Sequence, residues 1–356
     1  GGVDTRSASK FKYAPNMYTT IQVPRLPIHF GFGINSPFGL ATEYSSTHPF
    51  RYVGHKNELI MLAYTMSGSI KLAPWLSVGA GATYYDADLK QRAKLNSTLI
   101  TQSVIPPFPE LPDAPLRFKA GGNGWGWNLG VLLKPHPKHR LGFHYRSQAR
   151  LAFKGHLFVE DLAGPVMQSI FGGPTGGSPA NTDIVLPPQM TFAYQYFIRP
   201  NWDVELDLAY TRWRTFDELQ LNFGKPNPVL LGLARTPHDY HDTFSLSFGS
   251  DWDITKHFTV RGGYFYFQSP ARGAHLGPVI PDSDRHGFAS GLSLNFRNVS
   301  FDLTYIAELF AEKSVNNTTV GKNAGIVADG DYSTFVHLIS ANVTVRFGAG
   351  AKEEAP

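Results

Sequence analysis

Apolar and polar residues alternate along much of the chain with a period of two. The clearest stretch is Trp202–Trp213. Trp202, Val204, Leu206, Leu208 and Tyr210 fall on one face, and Asp203, Glu205, Asp207, Ala209 and Thr211 on the other. Side chains of a β-strand alternate between its two faces, so the segment reads as a strand with one greasy and one wet side. Val299, Phe301, Leu303, Tyr305, Ala307 and Leu309 likewise oppose Ser300, Asp302, Thr304 and Glu308, and Phe244, Leu246 and Phe248 oppose Thr243, Ser245 and Ser247. At Trp202–Trp213 aromatic residues stand at both ends of the apolar face, which is how lipid-facing strands anchor in the two membrane interfaces.

The pattern predicts strands at 16–23, 27–36, 58–72, 76–92, 123–134, 140–159, 188–198, 202–222, 241–253, 258–268, 285–296, 299–313 and 333–347. The connections alternate in length. Pro24–Leu26, Ala73–Trp75, Pro135–His139, Arg199–Asn201, Ile254–His257 and Arg297–Asn298 are short, and those between them are long. Tight periplasmic turns alternating with long external loops are expected of an outer-membrane barrel, whereas a Greek-key sandwich has no reason to keep such order. The predicted fold is an all-β, transmembrane antiparallel β-barrel occupying 1–347, with a polar tail at 348–356. Bacterial single-chain barrels have an even number of strands. The thirteen predicted here, with a loop-like segment at 1–15, lead us to expect that a first strand precedes this sequence.

Composition fits this picture. Of 356 residues 42% are hydrophobic and 13% aromatic, and mean hydropathy is −0.19. No run of about 20 apolar residues, the length of a membrane-spanning helix, occurs. With 0 cysteines there is no disulfide framework or thiolate metal site. The net charge of +4 is not gathered into a basic block, so nucleic acid is not an expected partner. His238, His241, Asp239 and Asp242, and separately His136 and His139, lie in predicted loops or turns without further ligands. We therefore expect no metal and no cofactor. No phosphate loop, dinucleotide fingerprint or serine–histidine–acid arrangement stands out.

Five blocks in order carry a family resemblance. They are NSPFGLATEY at Asn35–Tyr44, GNGWGWNLG at Gly122–Gly130, YRSQARLAFKG at Tyr145–Gly155, LPPQM at Leu186–Met190 and IPDSDR at Ile280–Arg285. The chain resembles the FadL family of outer-membrane long-chain fatty acid and hydrocarbon transporters. The resemblance implies a monomeric barrel of fourteen strands with an N-terminal hatch in the lumen; the first strand and the hatch are expected to be missing here. The implied function is passive uptake of a hydrophobic small molecule, with membrane lipid and lipopolysaccharide as surroundings and no enzymatic activity. A membrane-embedded lipid hydrolase or acyltransferase and a general porin are the competing readings. Wide porins have 16–18 strands, more than the pattern gives.

Three sets of residues are candidates for that function. Gly31, Gly33, Asn35, Pro37 and Gly39 gather where a strand should cross the membrane. Proline cannot donate to a ladder and glycine marks bulges, so the alternatives are an ordinary strand end and a break in the wall, which the resemblance makes a lateral exit into the bilayer. Ile100, Val104, Ile105 and Phe108 in one long loop, and Val166, Met167, Ile170 and Phe171 in another, are unusually apolar. They either pack together or form an external groove that captures ligand, or do both. In the lumen, His144, Arg146, Arg261 and Arg285 would meet a carboxylate or pair with acids such as Asp203, Glu205, Asp207, Asp302 and Glu308. Trp213, Phe265, Phe267 and Ile306 would line a greasy pocket beside them.

Overall fold

The computed structural model describes residue 7 and residues 13–106, 109–277, 279–315 and 329–348. It begins with β1 (Met17–Gln22), β2 (Ile28–Asn35), β3 (Gly39–Glu43) and the short helix α1 (Arg51–Gly54). A long hairpin of β4 (Lys56–Ala73) and β5 (Leu76–Leu95) follows, then α2 (Ser97–Gln102) and β6 (Ala114–His136). Next come β7 (His139–Arg146), β8 (Ala149–Val159), α3 (Gly164–Phe171), β9 (Gly176–Leu186), β10 (Gln189–Arg199) and β11 (Trp202–Thr211). A loop carries β12 (Glu218–Gln220), β13 (Asn222–Phe223), α4 (Pro228–Gly232) and β14 (Arg235–Pro237). The chain continues through β15 (Thr243–Thr255), β16 (Phe258–Phe267), β17 (Arg285–Phe296) and β18 (Val299–Phe310). The small hairpin β19 (Lys313–Val315) and β20 (Gly330–Tyr332) precedes β21 (Phe335–Val345).

All pairings are antiparallel. From β1 the ladder runs through β2, β4, β5, β6, β7, β10, β11, β15, β16, β17 and β18 to β21. β3 continues β2 along β4, and β8 and β9 form a ribbon on the upper half of β6, to which β13 adds a short edge. Among the described residues no pairing joins β1 to β21. The sheet nonetheless curls on itself. Phe38, between β2 and β3, meets Trp213 beyond β11, and Thr42 of β3 donates to the carbonyl of Val279 between β16 and β17.

The pattern predicts thirteen unbroken strands, but the main sheet has 17. The predicted strand 140–159 is interrupted at 147–148, and β3 and β9 lie within the long connections expected at 37–57 and 160–187, β3 set off from β2 by residues 36–38 and β9 from β10 by prolines 187 and 188. The predicted strand 202–222 also stops at Thr211, where a 3-10 turn begins at Trp213. Tight turns lie at one end of the ladder. At one of them Arg297 takes a φ of 44°, the left-handed conformation that two-residue hairpins demand. The other end carries the long connections with all four helices.

Register sorts the side chains into two faces. Outward lie exposed Leu206, Leu208, Phe244, Leu246, Phe248, Leu292, Leu294, Phe301 and Leu303. Aromatic pairs stand at two levels of this face, Tyr64–Tyr84–Trp125 towards the long loops and Trp202–Trp252 towards the tight turns. Apolar bands between aromatic girdles are what a bilayer requires of a barrel. Inward, the lower half is polar. Arg261 bonds Asp251 at 2.8 Å, Asp302 at 3.1 Å and Ser293, while Gln195 bonds Asp203 at 2.8 Å and accepts from Arg140 at 3.4 Å. The upper half closes over an apolar core of Met61, Leu116, Phe118, Leu151, Phe153, Leu157 and Val159, to which loop residues Met167 and Leu230 contribute.

Candidate functional site

Arg146 ends β7, directly opposite Asn128 of β6 and Gln189 of β10. Its neighbour Tyr145 pairs with outward Leu129, so Arg146 points into the lumen, as does His144 two residues below. The strand cannot continue regularly here. Ser147 donates its amide to the carbonyl of Trp127, and its hydroxyl accepts from the Trp127 amide at 2.9 Å and reaches the carbonyl of Gln148. Across the break stand Pro187 and Pro188, without amide hydrogens to offer. Arg146 is therefore fixed at a kink between the lower barrel and the β8–β9 ribbon.

The surroundings of Arg146 are aromatic. Its guanidinium lies 5.3 Å from the ring centre of Phe38, and the Tyr85 side chain is close enough to act on it electrostatically. No ion pair involves Arg146 among the described residues. Phe38 in turn meets Trp213 edge-on at 6.2 Å, Trp213 meets Tyr240 at 5.9 Å, and Tyr240 meets Phe216 at 5.6 Å. A continuous aromatic path thus leads from one half-buried cation up into the loops. It ends in a second core of Tyr240, Ala271, Leu276 and Val315, with Trp213, Phe216 and Tyr332 against it. His238 stacks on Phe216 at 4.9 Å. Burial, helped by His275 nearby, lowers its pKa to about 4, and burial raises Tyr240 and Tyr332 to about 12.

The other predicted lumen residues divide. Arg261 faces inward but is held by two carboxylates and lies in the polar lower lumen. Arg285 lies between the rings of Phe267 and Phe310, at 5.1 and 5.3 Å, with Asp282 at 3.6 Å and Glu308 at 3.8 Å. Phe265 and Phe267 both face the lumen, their rings 4.8 Å apart. Phe265 lies flat over Gly287, where a Cβ atom would overlap its ring. Ile306 sits opposite Ala289 and Leu338 on the inward face. Trp213 reaches the lumen from the loop, not from a strand face as its alternation suggests, because β11 has already ended.

The apolar loops pack together. Met167 is wholly buried, Ile100 and Phe171 lie against the upper core, and Val166 and Ile170 are partly covered. Val104 and Ile105 stay 57% and 52% exposed, with Leu99 beside them. Met167 is thus a core residue rather than part of an open surface. Phe108 lies outside the described residues. In the wall, Gly31 and Gly33 sit within a regular ladder, paired to Thr20 and Tyr18 on one side and to Ser67 and Thr65 on the other. Asn35 is the last paired residue of β2 and Gly39 the first of β3, so the interruption narrows to 36–38 around Pro37.

Sequence reasoning missed Phe38, Tyr85, Phe216, Tyr240 and the α4 loop with its buried Leu230. Phe38 had one available signal, as the aromatic residue set between Pro37 and Gly39.

An antiparallel β-wall with a greasy outside, a polar lower lumen and an apolar upper lumen defines an outer-membrane β-barrel that handles apolar or amphiphilic solutes. Residues 3–347 match the family described as outer membrane protein transport protein (OMPP1/FadL/TodX), and the chain belongs to that family. It is 29% identical over 309 residues to the long-chain fatty acid transport protein of Escherichia coli O6:H1, covering 80% of this chain and 68% of that protein. It is 24% identical to outer membrane protein P1 of Haemophilus influenzae, covering 86% and 68%. The fold is shared with a Pseudomonas aeruginosa FadL homologue at a TM-score of 0.84 and 21% identity, covering 93% of this chain and 78% of that one. The Pseudomonas putida toluene transporter TodX gives 0.69 at 18%, covering 97% and 85%. The chain is accordingly a transport protein of the Gram-negative outer membrane and not an enzyme.

Proposed function

We propose that the chain takes up long-chain fatty acids passively, with the carboxylate received by Arg146 and the acyl chain along Phe38, Trp213 and Tyr240. The observation that carries this is a half-buried lumen cation with aromatic neighbours and no carboxylate partner among the described residues. A desolvated guanidinium gains most from a planar anion that it can bond twice. Relatives are named as long-chain fatty acid transporters, which agrees. Exposed Leu99, Val104 and Ile105 would first hold the ligand outside, and the interruption at 36–38 would release it sideways into the bilayer. The chain is expected to act as a monomer.

Solved structures of similar fold are titled as toluene and monoaromatic hydrocarbon channels, so a hydrocarbon is the second reading. The aromatic path alone would serve it. The two separate on one substitution. Arg146→Ala should weaken oleate binding to the detergent-solubilised protein by about tenfold or more, the size of one charge-assisted hydrogen bond, and leave toluene binding unchanged. Equal affinities of parent and variant for oleate would reject the head-group role. Toluene binding without any oleate binding by the parent would favour the hydrocarbon.

A further inference from the structure

Side-chain contacts, not the ladder, hold Phe38 in place. β2 makes its last ladder pair at Asn35 and β3 its first at Gly39, so residues 36–38 have no partner in the sheet. Three contacts fix the ring. The Arg146 guanidinium stands 5.3 Å from its centre, Trp213 meets it edge-on at 6.2 Å, and the upper core packs against it. An aromatic face attracts a cation within about 6 Å, and more strongly when the cation is shielded from water. Arg146 is half-buried and has no carboxylate partner among the described residues. The other inward contacts between arginine and ring are built differently. Arg140 lies over Phe197, and Arg285 over Phe267 and Phe310, but these three rings belong to residues paired in the ladder. Arg285 also keeps Asp282 and Glu308 within reach. Among the described residues, only at Phe38 does a cation without an acid hold a ring whose backbone is unpaired.

The ligand site proposed above uses the same surfaces. A carboxylate on Arg146 cancels the charge that draws the ring, and an acyl chain along Trp213 takes the place of its edge-on contact. A chain without a carboxylate does only the second. We propose that Phe38 is a charge-sensitive latch on the wall at 36–38, which makes exit there selective for anionic amphiphiles over uncharged chains. Phe38 is thus a specificity-determining residue that acts at release and not at capture. The inference rests on the head-group reading of Arg146 and on exit at 36–38. Loss of one contact between cation and ring shifts an equilibrium by about two- to thirtyfold. A latch of that strength biases release and does not lock it.

The chain has 0 cysteines, so Ser36→Cys carries a nitroxide at one defined place in the interruption. Its electron paramagnetic resonance spectrum in detergent gives the ratio of mobile to immobile label, and native mass spectrometry of the same samples gives ligand occupancy. At matched occupancy oleate should raise that ratio about two- to thirtyfold, and methyl oleate should leave it at the ligand-free value. Phe38→Leu, which keeps apolar bulk and loses the ring, should show the raised ratio without ligand and gain nothing further from oleate. Arg146→Gln should show the raised ratio without ligand as well. Oleate bound by the parent without a change in the ratio, an equal rise with methyl oleate, or a label in ligand-free Phe38→Leu as immobile as in the parent would each overturn the latch and leave Arg146 standing as the head-group site. Failure of the parent to bind oleate would instead overturn the head-group reading, and the latch with it.

Discussion

Three inward arginines show how residue environment sorts function from structure. Arg261 has two carboxylates and a serine, Arg285 has two acids at the edge of contact range, and Arg146 has rings. Removing Arg261 would leave Asp251 and Asp302 facing each other without their shared cation. We expect Arg261→Ala to lower the unfolding free energy in urea by about 1–3 kcal/mol, less than for a fully buried pair because water reaches the lower lumen. Oleate affinity should stay at the parental level; a loss of ligand with intact stability would reverse the assignments of Arg261 and Arg146. The inward direction of all three was legible from period-two alternation. Asp302 and Glu308 stood among the acids it offered as partners, and they pair with Arg261 and Arg285, but which acid serves which arginine was not legible, because alternation gives a side chain's face and not its neighbours. Phe38 escaped for the same reason, since it lies where the period is lost.

At the level of elements, the breaks carry the information that the strands do not. The segment Tyr145–Gly155 reads as part of one strand and 160–187 as a loop, yet the wall kinks between Arg146 and Ala149, and β9 runs to Leu186 before a second break at Pro187–Pro188. Gly124 lies opposite the kink, and a Cβ there would run into the backbone carbonyl of Arg150. Because backbone cannot step aside as a side chain does, Gly124→Ala should cost about 1–3 kcal/mol of stability. It should also shift Arg146, so oleate binding falls with it; a variant equal to the parent in both would show the kink to be slack. The loop core makes a pH prediction. His238 is neutral when folded, with a pKa of about 4, below the ordinary value near 6.5 for the unfolded loop. Protons therefore favour the open loop between those values. Packing of residues 213–242 is complete above pH 6.5 and loosens as pH falls towards 4. Hydrogen-exchange protection of this loop should drop across that range in the parent and stay level in His238→Phe. Sequence read a shorter loop, at 223–240, with the strand running on through 212–222, and did not show its core, which is assembled from Tyr240, Ala271, Leu276 and Val315 far apart in the chain.

Taken as one molecule, the lumen has two levels, and the interruption at 36–38 has to be judged against both. Below it lie Asp203, Glu205, Asp207, Asp251, Arg261 and Asp302, a lining in which an acyl chain gains nothing and displaces hydrogen-bonded charge. Above it lie the aromatic path and the apolar core. Phe38 belongs to the interruption and to the aromatic path at once, packing against the upper core on one side and Trp213 on the other. On the route proposed above, an apolar ligand descending from the loops would meet the gap before the charges, and its downhill direction would be sideways, into a bilayer as apolar as itself. Restoring the ladder should close that route. Ser36→Thr with Pro37→Val supplies the missing amide donor and two β-branched side chains suited to a strand. In proteoliposomes containing nitroxide-labelled lipid, a fluorescent fatty acid bound by the parent should pass into the acyl-chain region and be quenched. The double variant should bind it with unchanged affinity but transfer it at least about tenfold more slowly, as expected if one strand segment now blocks the opening. Transfer at the parental rate, or arrival of the probe in the aqueous space at the tight-turn end before any quenching by lipid, would mean that the ligand runs the full length of the lumen instead.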